Sequence, residues 1–208
     1  MSKCRPIIFT GESIPQILAG QKTQTRRVVK YISALGYPDF WCHKHDRAQF
    51  REAVGDYRRF CPYGVPGDTL YVKETLHQEF STSDADTPNG CLAVYSADGT
   101  VVMRDGRPAE YTWQNPTLPS IFCPRWASRI SLEVTDVRVQ RIQDISEEDA
   151  KAEGVGEPAE YPYWPQDKFR LAYQERWDSL NAKRGHGWDA NDWVWAVTFK
   201  LFQEAADG

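Results

Sequence analysis

The run Gly20–Arg27 reads GQKTQTRR and packs a lysine, two threonines and two arginines into one short stretch. A lysine beside a threonine hydroxyl takes its proton where burial or nearby cations lower the lysine pKa, and the threonine becomes a nucleophile. Arg26 and Arg27 carry planar guanidinium groups that grip phosphate in a bidentate way. Together with Lys22, Thr23 and Thr25 they form a dense set of donors. The same residue types also make an ordinary solvated basic turn, and spacing alone does not separate the two readings.

A second candidate is the acidic stretch Glu147–Gly154. Glu147, Glu148 and Asp149 fall in the first turn of a predicted helix, where the helix dipole favours negative charge, so they need no function. Glu153 falls at the other end, where that dipole disfavours a carboxylate. A group placed there needs a reason, either a nearby lysine or a role in proton transfer. Lys73 and Glu74 close a strand after the turn at Pro66-Gly67-Asp68, and Arg125-Trp126 precede a long strand. Both pairs are candidate pocket walls, and both are equally consistent with salt bridging and packing. Cys42, His43, His45 and Cys61 have ligand chemistry, but their spacing fits no standard zinc knuckle, so no metal site is expected. No phosphate-binding glycine loop, GxSxG elbow or dinucleotide fingerprint is present, and no cofactor is expected. His186 lies between two glycines, which reads as a mobile loop and not as a held base.

The elements that must position these residues can be read from caps and periods. Residues 5–9 suggest a short strand. Ser13-Ile-Pro-Gln16 has the form of a capping box, Ile14, Ile17 and Leu18 give one apolar face, and Gly20 marks the stop. Such a helix is too short to stand alone and must dock on a sheet. Leu70 and Val72 share one face of a strand over 67–74, opposite Tyr71 and Lys73. Residues 91–104 suggest a hairpin around Asp98-Gly99, and 105–127 read as loop. The clearest strand signal covers 129–142: Ile130, Leu132 and Val134 alternate, then Val137 and Val139 after a bulge near Thr135-Asp136. Ser146 opens a second capped helix ending at Gly154. A helix over 167–182 places Phe169, Tyr173, Trp177 and Leu180 on one side, and a last strand covers 193–202.

With 41% hydrophobic and 26% charged residues, the 208-residue chain has material for a real core and no sign of wholesale disorder. Its net charge of −4 means that nucleic acid would have to be attracted by a local cluster, and Lys22, Arg26, Arg27 and Lys30 form one. Eight tryptophans and ten tyrosines chiefly fill a β-rich core, with one or two available to stack on a base. Apolar runs are too short to span a membrane, and the start MSKCRPIIFTGES lacks the apolar core of a signal peptide, so the expected compartment is the cytoplasm. The five cysteines are scattered and odd in number, as expected of free thiols.

The short helix, Gly20 and then Lys22-Thr23-x-Thr25-x-Arg27 resemble the signature of ASCH domains, members of the PUA-like superfamily. The segments PYGVPGDTLYVKET, PRWASRISLEVTDVRVQRIQDISEEDAKAEGV and NDWVWAVTFK are similar to those of the longer ASCH proteins of phages and prophages. The resemblance implies an α+β fold, a small mixed PUA-like β-barrel with short flanking helices. It implies a single domain over 1–208 with irregular insertions at about 31–58, 79–120 and 155–166. Some small bacterial ASCH proteins are amidohydrolases that deacylate an N-acetylated cytidine, and their lysine, threonine and glutamate fall here on Lys22, Thr25 and Glu153. Others are RNA-binding modules or ribonucleases. The expected ligand is accordingly a nucleoside or single-stranded RNA, contacted by Thr23, Arg26, Arg27, Lys73, Glu74, Arg125 and Trp126. A phage accessory protein acting on a host protein is a third class left open.

Overall fold

The computed structural model describes residues 2–29, 57–80, 90–156 and 167–202. Cys42, His43, His45, Lys30 and most of the 31–58 and 155–166 stretches lie outside them. The main sheet has five strands in the order β1-β3-β9-β10-β2. These are β1 (Cys4–Ile8), β2 (Gln24–Val28), β3 (Thr69–Lys73), β9 (Ser131–Arg141) and β10 (Trp193–Leu201). β1 runs parallel to β3, and every other neighbouring pair is antiparallel. The fold is α+β, a mixed sheet with short helices. Among the described residues no backbone pairing joins β1 to β2, so the expected barrel is not closed by its ladder. A side chain spans the gap instead: Arg27 Nη2 donates to the Ile8 carbonyl at 2.5 Å.

The inner face of the sheet gathers Ile7, Leu70, Val72, Leu132, Val134, Val137, Val139, Trp195, Val197 and Phe199 into one core. Helix α1 (Ser13–Leu18) adds Ile14 and Ile17. The bulge read near Thr135-Asp136 is real. Thr198 pairs with Asp136 and Phe199 with Val134, which leaves Thr135 as the extra residue. It is needed because Val134 and Val137 are three residues apart, and a strictly alternating strand would turn one of them outward. The sequence of β10 alternates, yet Trp193–Val197 are all buried, because the outer face is covered as well. There α2 (Glu147–Ala152) and α3 (Lys168–Asn181) pack Ala150, Tyr173 and Trp177 on Val194, Ile142 and Trp188.

A second, three-stranded sheet is built from β4 (Leu76–Phe80), β5 (Cys91–Tyr95) and β8 (Thr117–Leu118), with the small ribbon β6 (Met103–Arg104) and β7 (Arg107–Pro108) beside it. It has its own core around Leu76, Tyr95, Val102 and Tyr111. The stretch read as loop over 105–127 therefore contributes β7 and β8, strands of two residues that no periodicity can announce. The capping box predicted at Ser13 does not form. Glu12 already has helical dihedrals (φ −62°, ψ −27°), so Ser13 sits inside the helix and its hydroxyl meets Thr10 Oγ1 at 3.0 Å. Ser146, in contrast, accepts from the Asp149 amide as a true N-cap. No helix among the described residues is long and apolar enough to cross a membrane.

Candidate functional site

Lys22 is delivered by the way α1 ends. Gly20 takes φ +69°, and the amides of Gln21 and Lys22 both return to the Gln16 carbonyl, at 2.9 and 3.0 Å. The chain then crosses to β2 past the end of α2, where the Thr23 amide donates to the Ala152 carbonyl at 2.8 Å. Gly154 makes this approach feasible. Its φ is +76°, and a Cβ there would lie 2.6 Å from Gln16 Oε1 and 2.9 Å from Lys22 Cβ. Two helix ends more than a hundred residues apart are thereby locked together.

At that junction Lys22 Nζ donates to Glu153 Oε2 at 2.7 Å and to the Glu153 carbonyl at 2.6 Å. Each residue is only 5% exposed. The lysine thus offsets both the carboxylate and the negative end of α2, which explains why an acid tolerates that position. Burial lowers the Lys22 ammonium below its ordinary range against the pull of Glu153, and Arg176 and Arg27 push it further down. Glu153 Oε1 accepts from Arg26 Nη1 at 3.2 Å and from the Tyr173 hydroxyl at 3.5 Å. Burial, with Glu153 beside it, holds that phenol well above its usual value, so it stays a donor.

Arg26 is no rim residue. Its guanidinium is fully buried, with Nη2 on Asp149 Oδ2 at 2.7 Å, and it lies 5.9 Å from the Tyr173 ring centre. Asp149 also takes Gln24 Nε2 at 2.8 Å and Arg138 Nη2 at 3.1 Å. Burial alone would raise the Asp149 carboxyl. The Gln24 hydrogen bond and the charges of Arg26 and Arg138 outweigh it and hold the group below the usual carboxylate range. The sequence reading gave Asp149 no task beyond the helix dipole, yet it anchors the arginine that orients Glu153.

The Lys22–Glu153 pair forms part of the wall of a cavity of about 460 Å³, within the size range of small-molecule sites. Thr25, Arg27 and Phe9 line it from the sheet, and Tyr173, Arg176, Trp177, Arg184 and His186 from α3 and the turn after it. Among the described lining residues Lys22, Arg26, Arg27, Arg176 and Arg184 stand against the single carboxylate of Glu153, which makes this lining positive inside an acidic chain. Arg27 lies 5.4 Å from the Phe9 ring centre, and its Nε is buried without a partner among the described residues.

The structure thus brings Lys22, Thr25, Glu153, Arg26 and Arg27 to one cavity. Thr23 stays on the ladder, accepting from the Phe199 amide at 2.8 Å. The remaining candidates do not line the cavity, because the end of β3 leads to the second sheet. Lys73 donates to the Ile121 carbonyl, and Glu74 is clamped by Arg129 at 2.9 and 3.0 Å. Arg125 lies 5.5 Å from the Tyr71 ring centre, and Trp126 stacks on Trp113 at 6.4 Å. No cluster of metal-ligand type occurs among the described residues. Sequence reasoning missed Arg176 and dismissed His186. Arg176 was legible only as a polar position on an aromatic-faced helix, while His186 is held by Asp192 at its ring and by Trp177 at its carbonyl.

No family model and no curated protein matches this chain. Solved structures that it is similar to include the following three. An ASCH domain from Lactobacillus crispatus aligns at 13% identity over 96% of this chain and 79% of that one, with a TM-score of 0.38. Protein EF3133 from Enterococcus faecalis, of the DUF984 family, aligns at 9% identity over 100% of this chain and 86% of that one, with a TM-score of 0.39. The hypothetical protein PH0355 aligns at 10% identity over 96% of this chain and 99% of that one, with a TM-score of 0.35. At such identities nothing about chemistry passes from one protein to the other, and function rests on the site.

Proposed function

We propose that the cavity takes one nucleoside or nucleotide unit, and that Lys22, Thr25 and Glu153 remove an acyl group from an N-acylated cytidine-type base held there. The observation that carries the reading is the buried Lys22–Glu153 contact at 2.7 Å on the wall that Thr25 shares. In the proposed reaction neutral Lys22 takes the Thr25 proton, and Oγ1 forms a bond to the amide carbon. Glu153 holds the ammonium that results, and the proton passes on to the leaving amine as the C–N bond breaks. Arg27 offsets the negative charge that develops on the carbonyl oxygen. The lowered Lys22 pKa supports this role, since a lysine base must be neutral part of the time.

The test is incubation of the purified protein with N-acetylcytidine, following release of cytidine. Turnover that disappears in Lys22→Ala and in Thr25→Val supports the reading. No turnover, or turnover that survives Lys22→Ala, ends it. A second reading, binding without chemistry, is favoured by the excess of basic over acidic lining residues. It fits a phosphate-bearing ligand or short single-stranded RNA held by stacking and ion contacts. Saturable binding with no product at any time would move the assignment there.

A further inference from the structure

The turn after α3 carries a second ionisable group into the same cavity. His186 Nδ1 lies 2.8 Å from Asp192 Oδ2, and the Asp192 side chain is only 4% exposed. The backbone around the ring is fixed as well. The His186 amide donates to the Asn181 carbonyl at 3.2 Å, and its carbonyl accepts from Trp177 Nε1 at 2.8 Å. Two residues further on, the Trp188 amide is tied to Asp178 Oδ1 at 2.6 Å. The loop expected to be mobile is therefore a clamped turn that presents an imidazole to the cavity.

A carboxylate only accepts, so Asp192 fixes the proton of neutral His186 on Nδ1 and leaves Nε2 with its lone pair for a ligand. We propose that His186, positioned by Asp192, is the proton-transfer group for the second half of the reaction, hydrolysis of an acyl-Thr25 ester. This inference rests on the deacylase reading above. Glu153 is poorly placed for that half, because its two oxygens already take donors from Lys22, Arg26 and Tyr173, which leaves them little room to receive a proton from water. In the step, a water oxygen bonds to the acyl carbon while its proton moves to His186 Nε2. The bond from the acyl carbon to Thr25 Oγ1 then breaks, and the imidazolium returns the proton to Oγ1. The free acid and the original threonine result.

The experiment compares wild type, His186→Gln, Asp192→Asn and His186→Ala with N-acetylcytidine, by rapid quench and intact-protein mass spectrometry. His186→Gln is expected to release the first cytidine within about threefold of the wild-type rate and then to slow by about 100-fold or more, the lower range for lost acid–base catalysis. Protein one acetyl group heavier, with the group on Thr25, accumulates. Asp192→Asn behaves likewise with a smaller loss, and added imidazole restores turnover to His186→Ala, which a purely structural role would not allow. Wild-type turnover in His186→Gln overturns the inference and leaves the deacylase reading intact. So does loss of the first release together with turnover and without an adduct. Absence of cytidine from wild type overturns both.

Discussion

Lys22 and Glu153 illustrate how residues that titrate in solution are retuned by where the chain puts them. Burial depresses the Lys22 ammonium, so its neutral fraction grows as pH rises through a value below the ordinary lysine range near 10.4. The expected kcat/KM for deacylation therefore rises with pH on a limb that lies below that range, and Lys22→Arg removes the limb with the activity. A limb at or above the ordinary lysine value would contradict the assignment of Lys22 as base. Asp149 gives an independent check in stability. Its folded pKa is held below the unfolded one, so its contribution is present above about pH 3.9 and is lost as pH falls through the lower folded value. Urea midpoints measured from pH 6 to 2 should fall across that window, and Asp149→Asn should flatten the fall. At this scale the sequence was informative where chemistry was crowded or misplaced: the donors of GQKTQTRR, and an acid at the wrong end of its helix. His186 was illegible because its partner Asp192 and its cavity exist only once α3 has docked on β10.

Helix ends and a bulge set the site, and these elements differ in how openly they are written. Alternation through Leu132 and Val134, then Val137 and Val139, announced β9 and its bulge because the core enforces one face on each side of Thr135. The helix α1 was foreseen but its start was not. Glu12 enters the helical region and frees the Ser13 hydroxyl to accept from Arg176 Nη2 at 2.9 Å, a tertiary use that outweighs the local cap. The two glycines that stop α1 and α2 look alike in sequence and have different tasks. Gly20 has φ +69° and open space where a Cβ would go, so Gly20→Ala carries the cost of backbone strain alone, about 1–2 kcal/mol. Gly154 has φ +76° and would drive its Cβ onto Lys22 and Gln16 as well. Gly154→Ala should therefore cost more, about 2–4 kcal/mol, the strain plus an overpacking term. Urea unfolding reads both, and equal costs would mean that the α2 end does not press on Lys22. Gly154→Ala should also reduce deacylation, since the displaced atom belongs to the proposed base.

Across the whole molecule, the charge of −4 and the positive cavity pull in different directions, and their balance predicts what binds. A duplex or long strand would have to lie along a surface that is acidic overall. A single nucleotide needs only the cavity, where the cations among the described lining residues outnumber the one carboxylate. Cytidine monophosphate is accordingly expected to bind more tightly than cytidine, with a shallow dependence on salt. For one or two phosphate contacts the slope of log K against log salt is about −0.7 to −1.4, the single-strand value per phosphate. Quenching of the cavity tryptophans Trp177 and Trp195, titrated at several salt concentrations, measures both quantities. A slope of about −4 or steeper with a long single strand, unmatched by the mononucleotide, requires phosphate contacts far beyond the cavity. The interface would then have to include basic residues elsewhere, such as Arg104 of β6 and Arg125, which neighbours the exposed Trp126. Arg27→Ala discriminates between the two. It removes a cation whose buried Nε has no partner among the described residues from the cavity wall, so it should weaken mononucleotide binding and make the slope shallower by about one contact. Binding to a distributed surface would scarcely register its loss.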